Sequence, residues 1–173
     1  MILKDFRLTN CNHFIALQKH GFFKKSIYLV ISINDIIIGI ELNNKISLEN
    51  ITHLGNLFAE IELAQQRGED KNPYSYIKKA ALREIEKINV FSKEIFQINK
   101  YNFKIDKVHI EEIVFIGKEN TKYVNTGDIV IETKIETKNH PNPNLRIPKR
   151  KLTLLGEQDY SKILAYFNTR QLG

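Results

Sequence analysis

The stretch Ile27–Leu42 reads I-Y-L-V-I-S-I-N-D-I-I-I-G-I-E-L, and it admits few folds. Asn34 and Asp35 tolerate positive φ, which suits a two-residue turn between two strands. That turn dictates a register. Ile33 faces Ile36, Ile31 faces Ile38, Leu29 faces Ile40 and Ile27 faces Leu42, all apolar and all on one face. The other face pairs Ser32 with Ile37, Val30 with Gly39 and Tyr28 with Glu41, and is half polar. A slip of one residue would scatter the aliphatic side chains over both faces, so the register is strongly specified. Burying the aliphatic face gains roughly 1.5–3 kcal/mol per side chain before entropy is charged. The β-branched enrichment and the central Asn-Asp argue against a buried helix.

The remaining chain supplies weaker signals. Ile2, Phe6 and Leu8 suggest a strand. Phe14, Ile15 and Leu17 suggest a short helix ending before Gly21, with Phe22 and Phe23 leading into the hairpin. Ser47 is a good N-cap, and Leu48, Ile51, Leu54, Phe58 and Ile61 repeat at helical spacing. After a polar breaker at 67–73, Ile77, Ala81, Ile85 and Ile88 line a second helix. Residues 47–90 therefore read as a helical-hairpin insertion. From residue 91 the period returns to two. Ile95 with Gln97, and Phe103 with Ile105, suggest strands around a turn. Val108, Ile110 and Ile113–Ile116 break alternation, which predicts a bulge near Glu111-Glu112. Residues 128–138 alternate between Ile129, Ile131, Thr133, Ile135, Thr137 and Val130, Glu132, Lys134, Glu136, Lys138, as in a strand with one buried and one wet face. Residues 139–144, with two prolines, form a loop. Residues 145–155 read as an edge strand, because Pro148 cannot donate to a ladder. Asp159 can cap a final helix whose Tyr160, Ile163, Leu164 and Phe167 share a face.

Strands kept apart from helices favour an α+β fold. The expectation is a single domain over 1–173, with a mostly antiparallel sheet or partly open barrel of about six to seven strands, the insertion at 47–90 and a C-terminal helix. A chain of 173 residues is long enough to bury a sizeable core. The opening M-I-L-K-D-F-R-L-T-N lacks the continuous apolar core of a secretory signal, and Cys11 is the only cysteine. A cytoplasmic location is the expectation.

Three segments resemble the bacterial PH/GRAM-like small barrels. They are V-H-I-E-E-I-V-F-I-G-K at 108–118, G-D-I-V-I-E-T-K at 127–134, and K-L-T-L-L-G at 151–156 followed by D-Y-S-K-I-L-A-Y-F-N at 159–168. The resemblance covers residues 91–168, with the hairpin 27–42 supplying the first strands. It implies successive antiparallel strands closed by one amphipathic helix. The segment 47–90 departs from that pattern. Such folds serve lipid binding, protein docking and dimerisation alike, so the resemblance does not set a function.

Two constellations could carry chemistry. Glu132-Thr133-Lys134 places a carboxylate and an amine on one strand face. It resembles the E-x-K element of restriction-type nucleases, in which a carboxylate holds Mg²⁺ and the lysine steadies a water. Asp106 or Asp128 would supply the further carboxylate, although neither sits in a clean motif, and no helix follows the lysine. Cross-strand charge pairing explains the same alternation. The second constellation is Arg146, Lys149, Arg150 and Lys151, the densest positive cluster in a chain of net charge +6. It could contact nucleic acid or an anionic membrane surface. A solvated edge strand kept basic against aggregation explains it equally. His13 and His20, seven apart, lack a short metal-ligand spacing. His53 reads as a surface or boundary residue, and Cys11 has no base at helical spacing. There is no G-x-S-x-G, no phosphate-cradling glycine loop and no H-E-x-x-H.

The leading expectation is thus a non-catalytic cytoplasmic binding protein without a cofactor, acting through a protein partner or by self-association. The alternatives are a nucleic-acid-associated protein using residues 145–151, and a Mg²⁺-dependent nuclease using Asp106, Glu132 and Lys134.

Overall fold

The computed structural model describes residues 8–20, 24–42, 89, 101–117, 127–134, 147–155 and 158–169. The expected helical hairpin at 47–90 (apart from residue 89), the strand at 95–97 and Arg146 lie outside them. The described residues form one antiparallel seven-stranded sheet and one helix. The strands are β1 His13–His20, β2 Lys24–Ile33, β3 Ile36–Glu41, β4 Phe103–Asp106, β5 Ile110–Gly117, β6 Gly127–Thr133 and β7 Lys149–Leu154. Helix α1 runs Tyr160–Asn168. The spatial order is β4-β3-β2-β1-β7-β6-β5.

The hairpin forms in the register its sequence dictates. Ile33 pairs with Ile36, Ile31 with Ile38, Leu29 with Ile40 and Tyr28 with Glu41. Leu42 N–H donates to Ile27 O at 2.7 Å, and Asn34 takes the turn with φ of 51°. The half-polar face is not wet. Tyr28, Val30, Ile37 and Glu41 are all buried, and Tyr28, Val30 and Ile37 belong to the core that α1 closes. The bulge sits where alternation breaks, between Ile110 and Glu112. Asp159 caps α1 by accepting from Lys162 N–H at 3.2 Å. Ile163 and Phe167 turn inward, and Phe167 meets Phe14 with ring centroids 5.1 Å apart.

Three expectations fail. Residues 13–20 are a strand rather than a short helix, fully paired with β2. A short apolar run lacks a decisive period, and here the neighbouring strand decides. Residues 149–154 are not an edge: β7 lies between β1 and β6. Pro148 precedes the strand, and its carbonyl accepts from Thr133 N–H at 2.8 Å, so its missing donor costs the ladder nothing. Finally, the supposed wet face of β6 includes buried Asp128 and Val130.

The sheet must roll. β4 and β5 are its two edges, yet only Lys107–His109, a 3-10 turn, separates them in the chain. A flat seven-stranded sheet would hold its edges roughly 29 Å apart. The steps from Asp106 to Ile110 span about 14 Å at most. The rolled inner face encloses the core, and α1 closes one end. Lys107 Nζ donates to Thr169 O at 2.8 Å and Asn168 Nδ2 to Ile113 O at 3.3 Å, fastening the end of α1 there.

Phe103 lies across Gly39, its strand partner, and fills the space a side chain would need. A Cβ built on Gly39 would stand 2.0 Å from the Phe103 ring. Gly39→Ala should therefore destabilise the fold by about 1–3 kcal/mol, read as a lower urea midpoint. An unchanged midpoint would show that Phe103 yields freely.

Candidate functional site

β1 and β7 join the two halves of the sheet by a short ladder. Only Ala16 pairs with Leu154 and Leu17 with Thr153, extended by Leu155 N–H to Ile15 O at 3.1 Å. At the α1 end the Gln158 amide substitutes for a strand residue. It accepts from Ile15 N–H at 2.8 Å and donates to Ile15 O at 2.7 Å. Toward the other end the strands part. A groove of about 480 Å³ opens there, lined among the described residues by Gln18, Lys19, His20, Ile147, Lys149, Lys151 and Thr153.

Period-two alternation sorts the K-R-K run of β7 onto two faces. Lys149 and Lys151 point outward, with 58% and 61% of their side chains exposed. Arg150 points inward and is 2% exposed. It cannot join a surface cluster with its neighbours, contrary to the expectation of one basic patch. Its Nη1 donates to Gln18 Oε1 at 3.3 Å, beneath the groove, and its guanidinium lies 4.1 Å from the Phe103 ring centroid. Burial lowers its pKa to about 10, which leaves it protonated at neutral pH.

Arg150 belongs to a polar interior at the end of the sheet away from α1. Tyr28 hydroxyl donates to Tyr101 O at 3.0 Å. That bond uses its one proton, so His20 Nε2, 3.1 Å away, is the donor to Tyr28. Burial first, then the Glu41 carboxylate, push the Tyr28 phenol well above its usual range, against an opposing effect of Arg150. Ser26 Oγ donates to Glu41 Oε1 at 2.5 Å, and Glu41 N–H to Asn102 Oδ1 at 2.8 Å.

On the outer face β6 answers β7 charge for charge. Glu132 stands opposite Lys149 and forms an ion pair with it. Asp128, 1% exposed, takes Lys151 at 3.0 Å and Thr153 Oγ1 at 2.5 Å. Of the carboxylates that a nuclease reading would give to Mg²⁺, Glu132 and Asp128 are thus engaged by lysines. Lys134 follows the end of β6, and its N–H donates to His109 O at 2.9 Å. Asp106 sits on β4, paired with Ile36, and β4 is not a neighbour of β6. Among the described residues no group of three His, Cys, Asp or Glu is placed to hold a metal ion. His13 and His20 stand at opposite ends of β1. No helix among the described residues is long and apolar enough to cross a membrane. No family model, no curated protein and no solved structure matches this chain.

Sequence reasoning missed Lys19, His20 and Thr153 as groove residues. Their placement depends on β1 being a strand beside β7, which no local pattern announces. The inward turn of Arg150 was legible, since adjacent strand residues face opposite ways. Arg150→Ala should cost about 2–4 kcal/mol, whereas Lys149→Ala, whose ion pair with Glu132 is partly exposed, should stay within about 1 kcal/mol. Urea unfolding of the two variants checks the contrast, and a silent Arg150→Ala would remove Arg150 from the core.

Proposed function

We propose that this chain is a small, non-catalytic, cytoplasmic domain that binds a protein partner, and that the groove between β1 and β7 is its docking site. One observation carries the reading: the strands part where lysines line both walls, Lys19 on β1 and Lys149 and Lys151 on β7. A groove of about 480 Å³ lies within the 300–1,000 Å³ range of clefts that bury small ligands. It admits a short segment of a partner rather than a broad surface. Antiparallel strands followed by one helix are also what the resemblance to PH/GRAM-like barrels implies, a scaffold type that serves lipid binding, docking and dimerisation alike.

The nucleic-acid reading uses the same lysines. It is weakened because Arg150 is turned inward, which leaves lysines spaced along one strand rather than a continuous basic patch. Among the described residues the lining offers Lys, Thr, Gln, His and Ile, and no Phe or Tyr on which bases would stack.

Cross-linking in native cell extract, read by mass spectrometry, tests docking. A protein should be cross-linked through Lys19, Lys149 or Lys151, and Lys149→Glu with Lys151→Gln should remove it while the variant keeps the dispersed NMR spectrum of the folded chain, an amide at 151 still being able to donate to Asp128. A partner retained by that variant would overturn the site. Salt-sensitive retention on DNA, lost in the same variant, would favour nucleic acid instead.

A further inference from the structure

Resting on the groove as the docking site, we infer that its occupant is an extended acidic segment of the partner, carrying carboxylates at alternate positions and lying along β7. Lys149 and Lys151 are two residues apart on one strand face, about 6.7 Å along the strand axis. An extended chain repeats its side chains at the same interval and on one side. A helix would present neighbours three and four residues apart, out of step with this pair.

On the β6 side of β7, Lys149 and Lys151 already hold carboxylates from an extended strand, there four residues apart, Glu132 and Asp128, with Val130 between them opposite Lys151. Each ammonium has three N–H donors, so a carboxylate arriving from the β1 side does not have to displace the resident one. On that side β1 has drawn away and the groove is open. Lys19 lies two residues beyond Leu17 on β1, so it shares the outer face on which Leu17 meets Thr153. It stands ready for a third carboxylate across the groove. The resident carboxylates matter in a second way. They offset the charge that would attract any polyanion, so the spacing of the incoming charges counts for more than their number.

The experiment uses the full chain and three labelled probes, with affinity read by fluorescence anisotropy. One is an eight-residue peptide alternating Glu with Thr. The second has the same composition with its Glu residues in one block. The third is a single-stranded oligonucleotide of eight nucleotides. The alternating peptide should bind at least about fivefold tighter than the block, and Lys19→Gln, Lys149→Gln and Lys151→Gln should each weaken it roughly three- to fivefold. Amide shifts in the NMR spectrum confined to the groove would show that these variants remain folded. Equal affinity for the two peptides, no binding of the alternating peptide, or tighter binding of the oligonucleotide would overturn the inference. If the peptides fail while the cross-linked partner still depends on Lys149 and Lys151, only the acidic-strand occupant is lost. If that dependence is also absent, the docking site falls with it.

Discussion

A three-residue turn joins the two outermost strands of this sheet, and the rest of the architecture answers to it. Because Lys107–His109 cannot bridge the width of a flat sheet, the seven strands must roll. Rolling gives the sheet an inside and an outside, and thereby separates Arg150 from Lys149 and Lys151. Pairing is uneven across the rolled sheet. β2 pairs with β1 along all of β1, and β6 with β7 at five positions. β1 meets β7 at two. The sheet is held covalently at its edges and opens in its middle, where the groove lies.

How much of this was legible follows from the range of the forces involved. The hairpin was readable to the residue because its turn and its cross-strand pairs are local and agree. The bulge at Ile110–Glu112 and the Asp159 cap were readable for the same reason. β1 was not. Phe14, Ile15 and Leu17 fit a helix or a strand equally, and β2 and β7 settle the matter from outside the segment. β7 was found as a strand but misplaced at an edge, because Pro148 was counted as a missing donor within the ladder. It stands one residue outside and contributes a carbonyl. The basic cluster was read as charge density, although strand geometry splits any such run between two faces. The groove itself had no sequence signal, since its walls lie more than a hundred residues apart in the chain.

The polar interior explains how a small sheet accepts a buried guanidinium. Phe103 takes the strand position opposite Gly39, where no side chain competes for the space. Its ring then supports Arg150 on one side and meets Tyr28 at 5.4 Å on another. Gln18 supplies a carbonyl oxygen from β1 across the junction with β7. A buried charge whose partners are withdrawn is costly, so the contact also holds the parted strands at a set distance. The inward face of K-R-K thus builds the floor beneath a groove whose rim is built by its outward face.

The two outward lysines are not equivalent, and this shapes what the groove can hold. Asp128 is buried and holds both Lys151 and Thr153, so moving Lys151 away would strip a buried carboxylate of a cation. A ligand must come to Lys151 where it stands. Glu132 and Lys149 are both partly exposed, and their pairing is weak enough to rearrange. The groove therefore offers one fixed ammonium and one adaptable ammonium on the same strand. A fixed charge sets the register of an incoming segment, while an adaptable one follows small differences in its reach. For the docking proposed at this groove, that combination favours a partner recognised by the spacing of its charges over one retained by charge alone.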